Sequence, residues 1–274
     1  MNTSDPVEQV LVTPELLELI LAQLDIRTLL TSAQRVSRSW HALIQDSHPL
    51  QEALYFRPIK PECSTADQRT TNPLLAQAFS PIFTTPPFGV ALTLNTLDLM
   101  THPAKQRAYL RPDASWRRML VTQPPATSFG HLTSTHGQCG DDYRLEVWKP
   151  NPDQEKHKRE REGLRMAPLF ELALSNALLP SISDSAIIWW GHGSGSKETK
   201  IWECVKKLGS PQLPDVLICG FTVLSCVVSC EEEDNPILAV QREVQLGYKE
   251  AGLRWELLGE EWAREVLEAN VMRY

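Results

Sequence analysis

Apolar residues crowd the start of the chain at helical spacing. Residues 11 to 48 read LVTPELLELILAQLDIRTLLTSAQRVSRSWHALIQDSH. Thr13, Pro14 and Glu15 suit a helix start: a hydroxyl to accept from first-turn amides, a proline preset for the first position, and an acid against the dipole. From Leu16 to Leu24 the main polar breaks are Glu18 and Gln23, so the apolar arc is wider than one core face needs. Asp25 is placed to cap a second helix carrying Leu29 and Leu30. Ser37 is placed to cap a third carrying Trp40, Leu43 and Ile44. A segment of roughly 40 residues has too little interior for all of these side chains. The surplus must meet a partner or the rest of the chain.

Beyond it, Pro49 predicts a fourth short helix over Leu50 to Phe56. Residues 57 to 125 then hold ten of the twenty prolines, which opposes a continuous bundle. The pattern there predicts a helix over Pro73 to Phe79, a strand over Val90 to Leu94 and a helix over Ala114 to Val121. Leu74, Leu75, Phe79, Ile82 and Phe83 indicate that this connecting region packs.

From residue 126 the segments alternate in type. Arg144 to Trp148, Ala186 to Trp190 and Val216 to Val228 read as strands. Leu164 to Leu179 and Lys197 to Leu208 read as helices. The final stretch, Ile237 to Tyr274, has helical spacing around Trp262, Val266 and Leu267. Residues 151 to 163 read as a charged loop or helix entry of mixed sign. The expected fold class is α+β: an N-terminal helical module at 11–56, a proline-rich connecting region at 57–125, and a mixed domain with a small sheet at 126–274.

Composition narrows the function classes. Hydrophobic residues make up 42% and charged residues 22% of 274, which describes a globular chain. A formal charge of −7 gives no electrostatic footprint for nucleic acid. No run has the length of a membrane span, and MNTSDPVEQ has no signal-peptide pattern. The expectation is a cytoplasmic or nuclear protein whose six cysteines are reduced thiols.

The 11–48 segment resembles an F-box. The resemblance rests on Pro14, Leu16, Leu17, Ile20, Leu21, the Leu24-Asp25 step, the Leu29-Leu30 pair, and the closing Val36-Ser37-Arg38-Ser39-Trp40. Thr13-Pro14 stands where the family opens with Leu-Pro. The resemblance implies a module that binds a Skp-type adaptor, and through it a cullin, using Pro14, Leu16, Leu17, Ile20, Leu21, Leu24, Leu29, Leu30, Val36 and Trp40. These residues are shared between adaptor contact and the module's own core. Residues 114–125, ASWRRMLVTQPP, and 164–172, LRMAPLFEL, are similar to stretches of a group of fungal F-box proteins. No propeller or leucine-rich repeat is visible. The function implied is that of a non-catalytic ligase subunit whose C-terminal domain holds an unknown client protein.

Other chemistry is thinly represented. The segment WWGHGSGSKETK has a strand, a Gly-rich turn at 191–197, a lysine and a helix, the order of a phosphate-binding loop. Yet Ser196 replaces the second glycine, and Glu198 stands where a magnesium-holding hydroxyl belongs. A small nucleotide-binding protein or enzyme is the alternative reading. His131, His136 and Cys139 form half of a metal site with no second ligand pair, so no metal or other cofactor is expected. Cys139, Ser194 and His192 allow only arbitrary pairings, and no catalytic residue is assigned. Trp189 and Trp190 are neighbours, and in a strand they face opposite sides.

Overall fold

A computed structural model describes residues 6–59, 69–84, 94–137, 140–151, 163–176, 185–191, 196–209, 213–223, 243–244, 246–247, 249–251 and 262–272. Among these residues the chain is α+β, with an N-terminal helical module followed by a mixed region of helices and two sheets.

The module comprises α1 (Pro6–Val12), α2 (Pro14–Leu21), α3 (Ile26–Thr31), α4 (Arg38–Asp46) and α5 (His48–Ala53). Asp25 accepts from the Thr28 amide at 3.0 Å and Ser37 from the Trp40 amide at 3.2 Å, two of the three expected caps. Thr13 does not cap α2. Its hydroxyl donates to the Gln9 carbonyl at 2.7 Å, because α1 ends immediately before it and offers a free acceptor. The fourth helix begins at His48, earlier than Leu50, because Ser47 caps it by accepting from the Leu50 amide. It ends before Tyr55, which takes a φ of 60°.

The connecting region contains β1 (Thr70–Thr71), α6 (Pro73–Ala78), α7 (Ser80–Phe83), α8 (Asp98–Thr101), α9 (Pro103–Tyr109), α10 (Ser115–Arg118) and β2 (Thr122–Gln123), which pairs with β1. The helix expected at 114–121 is therefore four residues long. Long-range bonds recruit the residues beyond its end: the Leu120 amide donates to the Tyr55 carbonyl and the Val121 amide to the Leu164 carbonyl. Of the strand expected at 90–94, residues 90–93 lie outside the described residues, and Leu94 opens a short 3₁₀ helix.

The larger sheet takes β3 (Phe129–His136), β4 (Gly140–Pro150), β5 (Ser185–Trp190), β6 (Val216–Val223) and β7 (Trp262–Met272) in the order β5-β6-β3-β4-β7. Among the described strands of this sheet, only β3 and β6 pair in parallel. Helices α11 (Met166–Asn176) and α12 (Ser196–Lys207) accompany this sheet. Residues 177–179 of the expected 164–179 helix and 224–228 of the expected 216–228 strand lie outside the described residues. The predicted C-terminal helix is β7, an eleven-residue strand. Its charges explain the change: Arg264 reaches Glu146 at 2.6 Å, Glu265 reaches Lys149 at 3.5 Å and Glu268 reaches Arg144 at 2.5 Å, all on β4.

Each face of the sheet has its own core. One face carries Phe129, Trp148, Ile188, Trp190, Val216 and Ile218. They meet Leu169, Phe170 and Ala173 of α11 together with Leu75, Phe79, Ile82, Leu97 and Val121. The connecting region and the residues after 126 thus share one core. Phe79 stands at its centre, with Trp116, Phe170 and Tyr109 at ring distances of 4.9, 5.4 and 5.7 Å. The other face packs Leu132, Leu145, Val147, Ile187, Leu217 and Cys219 against Ile201, Cys204, Val205 and Leu208 of α12 and its end. Trp189 and Trp190 do take opposite faces. Trp190 stacks on Phe83 at 5.1 Å and donates to the Ile82 carbonyl at 3.2 Å, while Trp189 packs into the second core.

Candidate functional site

The interior of the helical module is small. Leu17 and Leu21 of α2, Leu29 of α3, Ala33, Ile44 of α4, and Leu50 and Leu54 around α5 form its buried core. Trp40 and Leu30 are half-buried against it, and Leu30 also touches the first sheet core. Polar groups at the seam are satisfied: the Ser47 hydroxyl donates to the Glu18 carboxylate, and the buried Gln51 amide donates to the Ile44 carbonyl at 2.7 Å.

The remaining residues of the sequence-derived set lie outside. Leu16 is 43% exposed, Ile20 41%, Leu24 36% and Val36 60%, and Pro14 is also exposed. The ten residues thus divide into a core group (Leu17, Leu21, Leu29), an outer group (Pro14, Leu16, Ile20, Leu24, Val36) and two at the boundary (Leu30, Trp40). On α2 the division obeys the helical period. Leu16 and Ile20 are four apart on one stripe, and Leu17 and Leu21 are four apart on the next.

Sequence reasoning missed Leu19, which is 64% exposed and sits three residues after Leu16 on the outer stripe. It also missed Val7, Leu11 and Val12 of α1, just ahead of α2. Eight of the eleven large exposed hydrophobics among the described residues fall between positions 7 and 36, so the exposed apolar surface is concentrated on this module. The signal was present as the excess of apolar positions over core capacity. Which residues were in excess depended on the packing of α3 and α4.

Among the described residues the other sequence motifs find no shared site. His131 and His136 lie five apart on β3 and so project to opposite faces of the sheet, where they cannot share an ion. Burial lowers the pKa of His131. Cys139 lies outside the described residues, as do residues 192–195 of the Gly-rich turn. The strands flanking α12, β5 and β6, run antiparallel. A phosphate-binding loop sits in a parallel βαβ crossover. Cys219 is buried, and its thiol pKa is pushed well up by desolvation.

One arrangement was not anticipated. Ser134 Oγ lies 3.2 Å from His136 Nε2, and His136 Nδ1 lies 2.9 Å from Asp141 Oδ1. The order matches a nucleophile, a base and an orienting acid. Ser134, however, has no exposed surface and lies against Cys204 of α12, so no substrate reaches it. The network continues from Asp141 to Tyr143 and from Tyr143 to Lys207 Nζ at 2.7 Å, and it ties β3, β4 and α12 together.

No curated protein and no solved structure matches the chain. Residues 13–52, from the threonine before α2 into α5, match the family model of the F-box domain, so the helical module is an F-box domain.

Proposed function

We propose that this protein is the substrate-recognition subunit of a Skp–cullin–F-box ubiquitin ligase, docking a Skp-type adaptor on the outer face of α2 and holding a client protein with residues 126–274. The observation that carries the reading is the exposed run Leu16, Leu19, Ile20, Leu24 and Val36 on a module whose own core is already filled by Leu17, Leu21, Leu29 and Ile44. An apolar face of this kind is stabilised by covering it with a partner. In this division residues 11–56 serve the adaptor, 57–125 connect, and 126–274 read the client. The setting is the cytoplasm or nucleus, where such ligases and reduced thiols coexist.

The role is positional. A client lysine held beside a charged ubiquitin carrier meets the thioester at high effective concentration, without a catalytic group from this chain. The test is purification of the tagged protein from cells with the proteasome blocked, then mass spectrometry. Adaptor and cullin should appear together with a client set. Transplanting residues 57–274, whose two parts share one core, behind another F-box should carry that client set along. Absence of adaptor, or clients that track residues 1–60, would overturn the assignment.

A further inference from the structure

The sheet face that carries Phe129 and Trp148 changes character toward its far end. Two cross-strand rows continue it: Thr133, Arg144 and Glu268, then Thr135, Asp142 and Asn270, from β3, β4 and β7 respectively. These six residues line a groove of about 450 Å³. The cations beside it are already engaged. Arg144 holds Glu146 at 2.8 Å and Glu268 at 2.5 Å, and Arg264 holds Glu146 at 2.6 Å. Asp142 differs. Its partner is the neutral Asn270 amide at 2.6 Å, which draws the carboxylate toward β7.

The groove opens at the sheet's edge. β7 pairs with β4 along all eleven residues, and among the described residues nothing pairs with its other side. The opposite edge strand, β5, is shorter, and its Ile187, Ile188 and Trp190 are buried. Exposed backbone along an edge is a template for one more strand, and β-addition lets backbone bonds supply affinity while alternate side chains supply selection. An added strand would lie roughly 10 Å from β4, two strand spacings away, with every second side chain over the groove.

We infer that the outer edge of β7 receives an extended client segment as a sixth strand, with a lysine or arginine of that segment reaching across Asn270 to Asp142. This rests on the reading that residues 126–274 hold the client, and it names the chemistry that does so. An acidic side chain at the same position meets Asp142 and Glu268 and is rejected.

The test uses the full chain and a fluorescein-labelled acetyl-(Thr-Lys)₄ amide, read by anisotropy. Its controls are the (Thr-Glu)₄ counterpart and a (Thr-Lys)₄ peptide N-methylated at alternate backbone nitrogens in either phase. The lysine peptide should bind saturably and slow amide exchange in 262–272. The glutamate peptide should not bind, and one N-methylation phase should abolish binding. Asp142→Asn keeps an amide-compatible partner for Asn270 on an exposed position, and it should weaken binding about tenfold, the loss of one charge-assisted contact. Three results overturn the site: no binding of the lysine peptide, equal binding by Asp142→Asn, or sedimentation showing a dimer with 262–272 protected by a second copy. Client transfer with residues 57–274 tests the parent reading separately, so a failed peptide with clients still transferred removes this site alone.

Discussion

Replacing Leu16 and Ile20 together by aspartate separates adaptor binding from folding. Leu16, Leu19, Ile20, Leu24 and Val36 range from 36% to 64% exposed. Complete burial of an aliphatic side chain is worth about 1.5–3 kcal/mol. Scaled by exposure, the five offer roughly 4–7 kcal/mol to a partner that covers them, and Leu16 with Ile20 supply about a third of that. Aspartate removes this share and adds a carboxylate whose desolvation without a partner costs several kcal/mol more. The adaptor affinity of Leu16→Asp/Ile20→Asp should fall by about a thousandfold or more. Both side chains already face solvent in the free protein, so the thermal midpoint should move by only a few degrees. Titration calorimetry with purified adaptor, alongside circular dichroism, measures both quantities. A folded double variant that binds adaptor with the parental Kd would refute the reasoning.

Leu29→Ala acts on the other group of the same set: buried in the module core, it should cost about 2–5 kcal/mol of stability in a denaturant melt, with adaptor affinity reduced only as far as unfolding reduces it. Asp215 is a pH probe. Burial pushes its carboxyl pKa up, but bonds from Arg69 at 2.6 Å and from the Thr127 amide outweigh this and hold it below the ordinary aspartate value. A depressed folded pKa adds stability above the unfolded value that is lost as pH falls through the folded one. Asp215→Asn should therefore lower the melting temperature at pH 7, and the difference should close as pH falls below about 4. ATP or GTP with Mg²⁺ should give no saturable heat with the parental protein, and binding lost in Lys197→Ala would promote the nucleotide reading.

The helical module was legible because its determinants are local. Asp25 and Ser37 cap the helices directly after them, and Pro14 occupies the first turn of α2. Its division into core and outer stripe was not legible, since Leu16 and Ile20 read the same as Leu17 and Leu21 until α3 and α4 cover one pair. In the sheet, β4 was found by strict alternation and β5 and β6 by β-branched and aromatic runs. The central strand β3 was missed. Its Gly130, His131, Thr133, Ser134 and His136 form no apolar run, because its polar positions are satisfied by neighbouring strands and by the His136–Asp141 network. β7 was misread because Trp262, Val266 and Leu267 fit a helical period as well as an edge strand. The residues that decide, Glu146, Lys149 and Arg144, lie more than a hundred positions earlier. The groove was invisible for the same reason: its six side chains come from three strands, one of them unrecognised.

The positional function proposed above requires that the client be presented at a set distance from the ligase, and side-chain bonds tie the junction between module and sheet. Gln123 of β2 is buried, and its side-chain amide makes three bonds across that junction. It donates to the Glu52 carbonyl at 3.1 Å and the Arg57 carbonyl at 2.9 Å, and it accepts from the Ile59 amide at 2.9 Å. Leu30 and Phe56 belong to both the module core and the first sheet core, and Arg27 reaches Gln77 at 3.1 Å. Gln123→Ala strips partners from two carbonyls and one amide, each worth about 1–3 kcal/mol where water does not replace them. Amide exchange in residues 52–59 should accelerate and the melting temperature should fall, while adaptor affinity stays at the parental value because the Leu16–Ile20 face is untouched. Ubiquitin transfer to a bound client should then slow, since a pivoting junction dilutes the effective concentration of the client lysine at the thioester. Unchanged exchange at 52–59 would show that Gln123 does not hold the junction, and unchanged transfer with accelerated exchange would show that transfer does not depend on a rigid one.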